Sequence, residues 1–126
     1  MIEITTSPIS PEQVVNRAKT SGSGCVATYV GLIRDNSQGK PVRSVEYRDP
    51  DGTAEDKLEE IASEARERWK VENIAISHRI GRLKVGDINL VVAVAAAHRG
   101  EGFAACQYVI DCLKARLPTQ KEELYV

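Results

Sequence analysis

Residues 98–121, HRGEGFAACQYVIDCLKARLPTQK, hold the side chains of this sequence best equipped for chemistry. His98 and Arg99 stand where an apolar run ends, just before Gly100 and Gly102, so a helix starting there places them beside its first, unpaired N–H groups. The helix dipole favours an anion at the same place, and a phosphate fits it. Lys114 and Arg116 fall near the end of that helix, with Pro118 and Lys121 beyond. Gln107, Asp111 and Lys114 are spaced to share one face, and Phe103, Cys106, Ile110 and Leu113 give the complementary apolar stripe. Two readings of Lys114 stand at this point. It is a solvated lysine beside Asp111, or it is held near Arg99 and Lys121 by an anion that offsets their repulsion.

The elements that position these groups are legible in order. Ser10-Pro11-Glu12-Gln13 opens a helix with an N-cap, a proline at the first helical position and a capping box, and SGSG closes it. Residues 24–34, GCVATYVGLIR, are rich in β-branched and aromatic side chains and read as a buried strand that delivers Arg34 to its end. Across the polar turn DNSQGKP, the alternating VRSVEYR predicts a second strand paired with the first as a hairpin. Arg34 at its mouth reads equally as a surface arginine.

From Thr53 the pattern Ala54, Leu58, Ile61, Ala62, Ala65, Trp69 marks a long amphipathic helix. Its other face, including Glu60, Glu64 and Arg66, reads as solvated charge. Residues 73–80 form a strand, RLKV a short one, and DINLVVAVAAAH the longest. There Ala93, Ala95, Ala96 and Ala97 leave room for another backbone or subunit. With strands in adjacent pairs and about three helices, the chain reads as one α+β domain over residues 1–126 with a mostly antiparallel sheet.

Composition narrows the chemistry. A net charge of −1 with 28% charged residues gives no global field for nucleic acid or acidic lipid, so an anion site must be local. The apolar run at residues 88–97 is too short to span a bilayer, and the N-terminus lacks the charged and apolar regions of a signal peptide, which predicts a cytoplasmic protein. Cys25, Cys106 and Cys112 are odd in number and lack C-x-x-C spacing, so they read as buried, unreactive thiols rather than a disulfide framework or zinc site. His78-Arg79 is a second His-Arg pair. Without clustered carboxylates or thiolates His78 reads as structural, and neither a metal site nor a cofactor is expected.

These pieces, taken together, resemble the large, catalytic subunit of molybdopterin synthase. The likeness runs through Val30-Gly31-Leu32-Ile33-Arg34, Val45-Glu46-Tyr47, Glu64-Ala65-Arg66, His78-Arg79-Ile80-Gly81, Gly86-Asp87 and Ala97-His98-Arg99 to Leu113-Lys114-x-Arg116-x-Pro118-x-x-Lys121-x-Glu123. It implies an α/β-hammerhead fold and a homodimer within a heterotetramer. Each end of the dimer would receive the C-terminal thiocarboxylate tail of a small ubiquitin-like sulfur-carrier subunit. The acceptor would be cyclic pyranopterin monophosphate, converted to the dithiolene of molybdopterin in molybdenum cofactor biosynthesis.

By the same resemblance Lys114 and Lys121 are the catalytic lysines, and Arg34, His98, Arg99, Lys114 and Lys121 bind substrate, some of them across the dimer interface. Two anions in one pocket require such cations. The chain departs from the family's usual pattern at Gln120, where an aromatic residue is common, and at Asp49 and Thr53; it also ends at Val126, where many members continue.

Two other readings keep part of this. One is a dimeric, non-catalytic module that binds a phosphorylated small molecule, which needs Arg99 and His98 but no amine opposite a thiocarboxylate. The other is an inactive paralogue that only binds the carrier subunit. If the chemistry rests on cations alone, a chelator such as EDTA leaves turnover unchanged; inhibition reversed by added zinc would overturn that expectation.

Overall fold

A computed structural model describes residues 1–126. In chain order the elements are β1 (Ile2–Thr5), α1 (Pro11–Ala18), β2 (Cys25–Leu32), β3 (Asn36–Ser37), β4 (Lys40–Arg48), α2 (Ala54–Arg68), β5 (Asn73–Arg79), β6 (Gly81–Lys84), β7 (Ile88–Ala96), α3 (Arg99–Arg116) and β8 (Gln120–Tyr125). Four strands form the main sheet in the order β1-β5-β7-β2, antiparallel except for the parallel β1–β5 pair. A second, smaller sheet is built on β4, which pairs with β3, β6 and β8. The fold is α+β, as the sequence predicts.

Strand β7 is buried on both faces because its alternate residues meet different helices. Leu90, Val92 and Val94 join Ile74, Ile76, Leu58, Ile61, Val109 and Leu113 in the core under α2 and α3. Val91, Ala93 and Ala95 pack with Ala75, Val14 and Ala18 under α1. The alanines thus admit a helix of the same chain, although their size would equally suit a second subunit. Ser10 caps α1 as expected, its Oγ accepting from the Gln13 N–H at 3.3 Å.

Three expectations are corrected. The strand at residues 24–34 does not form a hairpin with the next one: β2 pairs with β7, and the tight hairpin joins only the two-residue β3 to β4. The reason lies in β2's partner. Burial of Ala27 and the stretch from Val91 to Ala96 between helices outweighs the local turn signal. Phe103 is 63% exposed and outside the core, since the buried face of α3 runs through Gly102, Ala105, Cys106, Val109, Ile110 and Leu113.

The charged face of α2 is also not wholly solvated. Arg116 grips Glu64 with two hydrogen bonds of 2.7 Å and reaches Glu60 at 3.3 Å, while the Tyr108 hydroxyl donates to Glu64 Oε1 at 2.8 Å. Strands β1 and β8 are not foreseen by the sequence patterns. Both lie beside strands far away in the chain, β5 and β4, and their short local patterns carry little signal.

The Arg116 fork, followed by the Tyr108 hydroxyl, lowers the Glu64 carboxyl from 4.5 to about 2. A carboxylate depressed on folding contributes stability that is complete above its unfolded value and lost as pH falls through the folded one. The difference in unfolding temperature between the wild type and Glu64→Gln should therefore be constant above pH about 5 and shrink between about 4.5 and about 2. A difference that does not vary with pH would show that folding leaves the Glu64 carboxyl unshifted.

Candidate active site

Lys114, in the last turn of α3, and Lys121, near the start of β8, line one cavity of 330 Å³. Its other walls include Tyr29 of β2, Tyr47 of β4, His78 of β5 and Asn89 of β7, with Leu90, Leu113, Leu117 and Thr119. Register explains the convergence. Tyr47 stands opposite Lys121 in the β4–β8 pair, and His78 opposite Leu90 in the β5–β7 pair, so both sheets end at this hollow.

Lys114 Nζ lies 5.9 Å from the centroid of the Tyr29 ring and makes no ion pair with Asp111. Lys114 is exposed, as the solvated reading has it, though without an ion pair to Asp111. Lys121 Nζ is 3.5 Å from Glu123. The Glu123 carboxyl is held below its usual range first by the Ser37 hydroxyl and then by Lys121. Glu123 thus pairs with one lysine, and the other has no carboxylate partner.

An adjoining hollow of 80 Å³ shares Tyr47 and Lys121 and is lined as well by Arg34, Ser37 and Glu123. Arg34 lies just past the end of β2 and is exposed. It lies at the open end of the β3–β4 hairpin and joins the lysines' neighbourhood through the second sheet. The turn around Arg34 is closed by Val42 N–H on Asp35 O at 2.8 Å and Ile33 N–H on Asp87 O at 3.0 Å.

His98 and Arg99 are not part of this group within one chain. They line a separate, open cavity of 540 Å³ with Gly24, Cys25, Ala97 and Gly100 at the other end of α3. At about 1.5 Å of rise per residue, Arg99 and Lys114 are about 22 Å apart along the helix. No small anion bridges that distance. The expected helix start is correct in detail, with His98 at the N-cap and both residues exposed beside the first free N–H groups. Arg116, the remaining cation of the stretch, belongs to the Glu64 fork and not to a site.

Other features escape the sequence or are misjudged from it. Spacing gives Tyr29, Tyr47, Asn89 and Glu123 no role; Tyr47 and Glu123 are visible only as members of the family-like pieces, and Asn89 only as a lone amide in an otherwise apolar strand. Asp49, where the family pattern is broken, accepts from the Ala54 N–H at 3.3 Å and so helps start α2. Gln120 is exposed opposite Arg48. Cys106 is buried, its thiol pushed up to about 11 by desolvation, whereas Cys25 and Cys112 are only half-buried; all three are free. Among all residues no group of three or more His, Cys, Asp or Glu side chains could hold a metal ion.

Comparison with known proteins places this geometry in a family. The family model described as MoaE protein matches residues 4–116, a span that contains Arg34, His98, Arg99 and Lys114 and ends before Lys121. The chain is 42% identical over 121 residues to the molybdopterin synthase catalytic subunit of Nostoc sp., covering 95% of this chain and 73% of that one. It spans 62–73% of the length of its cyanobacterial and mammalian relatives.

Among solved structures, molybdopterin synthase from Staphylococcus aureus superposes with a TM-score of 0.92 at 32% identity, over 99% of this chain and 91% of that one. A complex of subunits 1 and 2 of molybdopterin-converting factor from Helicobacter pylori has the same fold, with a TM-score of 0.79 at 14% identity, over 98% of this chain and 84% of that one. A match over most of the chain by both sequence and structure leaves one conclusion: the chain belongs to the MoaE family, that of the molybdopterin synthase catalytic subunits.

Proposed function

We propose that the protein transfers sulfur from the C-terminal thiocarboxylate of a small ubiquitin-like carrier subunit to cyclic pyranopterin monophosphate, forming the molybdopterin dithiolene. The observation that carries this reading is the pair of ammonium groups, Lys114 and Lys121, on one cavity walled by Tyr29 and Tyr47. A thiocarboxylate and a cyclic phosphate repel each other, and two cations on one hollow offset that repulsion. In each transfer the thiocarboxylate sulfur bonds to a side-chain carbon of the pterin as an oxygen substituent leaves that carbon, and water then cleaves the acyl C–S bond of the resulting thioester, leaving the tail as a carboxylate. Lys114, which has no carboxylate partner, serves as the proton carrier or the attacking amine beside the tail. Lys121, steadied by Glu123, stabilises the phosphate or the developing oxygen charge.

The remaining cations enter from a second copy of the chain. β2 is an edge strand of the main sheet, with Val30 39% and Leu32 56% exposed, and Phe103 stands out from α3 beside it. Joining two copies along this apolar strip covers it and lets His98 and Arg99 of one copy complete the lysine cavity of the other. Arg99 then offers a planar fork to the phosphate. The carrier subunits at the two ends of such a dimer make a heterotetramer. No helix is long and apolar enough to cross a membrane, and three free cysteines fit the reducing cytoplasm, where we place the reaction.

The test follows molybdopterin, as its fluorescent oxidised derivative, from purified protein, thiocarboxylated carrier subunit and cyclic pyranopterin monophosphate. Lys114→Ala should lower turnover by about a hundredfold or more while dimers persist. Near-normal rates would remove this amine from the mechanism. Arg99→Ala should also be nearly inactive, yet mixing it with Lys114→Ala and allowing exchange should restore activity, because each mixed dimer contains one intact site. A mixture as inactive as its parts would sink the shared site, and a wild type that binds the carrier without forming product would favour the inactive paralogue.

A further inference from the structure

Tyr47 stands where the two hollows meet. Half-buried, it lines both the cavity of Lys114 and Lys121 and the adjoining hollow of Arg34. The β4–β8 register sets it directly opposite Lys121. Its ring meets the ring of the buried His78 edge-on at a centroid distance of 5.4 Å, which fixes the plane of the phenol. His78 serves here as a wall and not as a ligand group.

The hydroxyl has a defined polarity. Asn89 Nδ2 donates to the Tyr47 oxygen at 2.9 Å. Gly31 turns the amide this way, because Asn89 Oδ1 packs so close to it that a Cβ there would lie 2.6 Å from the oxygen. An oxygen tolerates the glycine C–H at that position, whereas an NH2 group would set hydrogens against hydrogen. The Tyr47 oxygen therefore receives a hydrogen from the protein, and its own O–H donates to no group of the chain. That hydrogen is available to a ligand of the hollow.

Resting on the sulfur-transfer reading above, we propose that Tyr47 is a further catalytic residue, whose hydroxyl, oriented by Asn89, donates to the acyl oxygen of the carrier tail while the thioester is cleaved. The charge on a phosphate stands throughout the reaction, and ammonium groups match it. The acyl oxygen is neutral in the thioester and negative only once water has added. A neutral dipole already in place suits such passing charge, because it binds the ground state weakly and need not turn when the charge arrives. In this step water adds to the acyl carbon and gives one proton to Lys114, while the carbonyl electron pair moves onto the oxygen held by Tyr47. Collapse re-forms the carbonyl and expels the pterin sulfur as a thiolate. The tail loses its remaining acid proton to solvent and departs as a carboxylate. Asn89 is a positioning residue, acting through the phenol.

Two experiments test this. Tyr47→Phe keeps the ring against His78 and removes only the hydroxyl. It should lower kcat for molybdopterin about a hundredfold with both KM values unchanged. The carrier–pterin thioester should then accumulate in quenched reactions analysed by mass spectrometry. An unchanged kcat, or a fall without the thioester, overturns the proposal. Asn89→Leu should slow kcat about tenfold, and adding it to Tyr47→Phe should cost nothing more, because the amide acts only through the hydroxyl. Losses that multiply would overturn the orienting role of Asn89.

The second experiment needs no turnover. In the unmutated protein with ¹³Cζ-labelled tyrosine, a carrier ending in its ordinary carboxylate should move the Tyr47 resonance, and a carrier lacking its C-terminal pair of residues should not. A resonance unmoved by saturating full-length carrier, or moved alike by both, overturns the proposal. If it moves as expected but the wild type transfers no sulfur, the contact with the tail stands and the sulfur-transfer reading fails. If Tyr47→Phe transfers sulfur at the wild-type rate, sulfur transfer stands and the role of Tyr47 fails.

Discussion

Strand β7 runs through the middle of the main sheet with both faces covered, and every part of the site takes its place from that burial. Because side chains alternate across a strand, a shift of one residue would exchange the partners of α1 with those of α2 and α3. The register is therefore fixed by packing on both sides. β2 and β5 are set against β7 residue by residue, so Tyr29 and His78 reach the same end of the sheet. α3 follows β7 directly, which puts His98 and Arg99 at one end of the sheet and Lys114 at the other. The polar exception in the strand, Asn89, holds His78 through its backbone and Tyr47 through its side chain.

Carboxylates sort the cations into structural and available ones. Glu64 and Glu60 occupy Arg116 and join α2 to α3. Glu123 steadies Lys121 from the neighbouring position on the same strand face. Lys114 is left against an aromatic ring and His98 and Arg99 against open space at a helix start. Lys114, His98 and Arg99 thus have no carboxylate partner within the chain, whereas Lys121 has Glu123. Their distance within one chain is what makes a second copy part of the proposed site.

Legibility differs from element to element for physical reasons. α1 and α2 are readable because capping residues and a 3.6-residue apolar period are local. β7 is readable as a long β-branched and alanine run, although its partners are not. The hairpin expected for β2 fails because turn chemistry in DNSQGKP closes only β3 on β4, while β2 gains more from burial beside β7. Phe103 fits the apolar spacing of α3 yet faces outward, since the helix contacts the sheet through its small residues, Gly102 and Ala105.

By itself the sequence determined the fold class, the helix starts, the family likeness and the identity of the cationic residues, all of which depend on local periodicity or on motifs read in order. Only the tertiary structure decided which cations share a cavity. That choice depends on β8 returning to pair with β4 and on the length of α3, and neither a strand partner nor a distance across the fold is written in local spacing. The setting of His78 lies on the same side of the divide: its type is visible in the sequence, but its burial and its contact with the Asn89 carbonyl exist only in the fold.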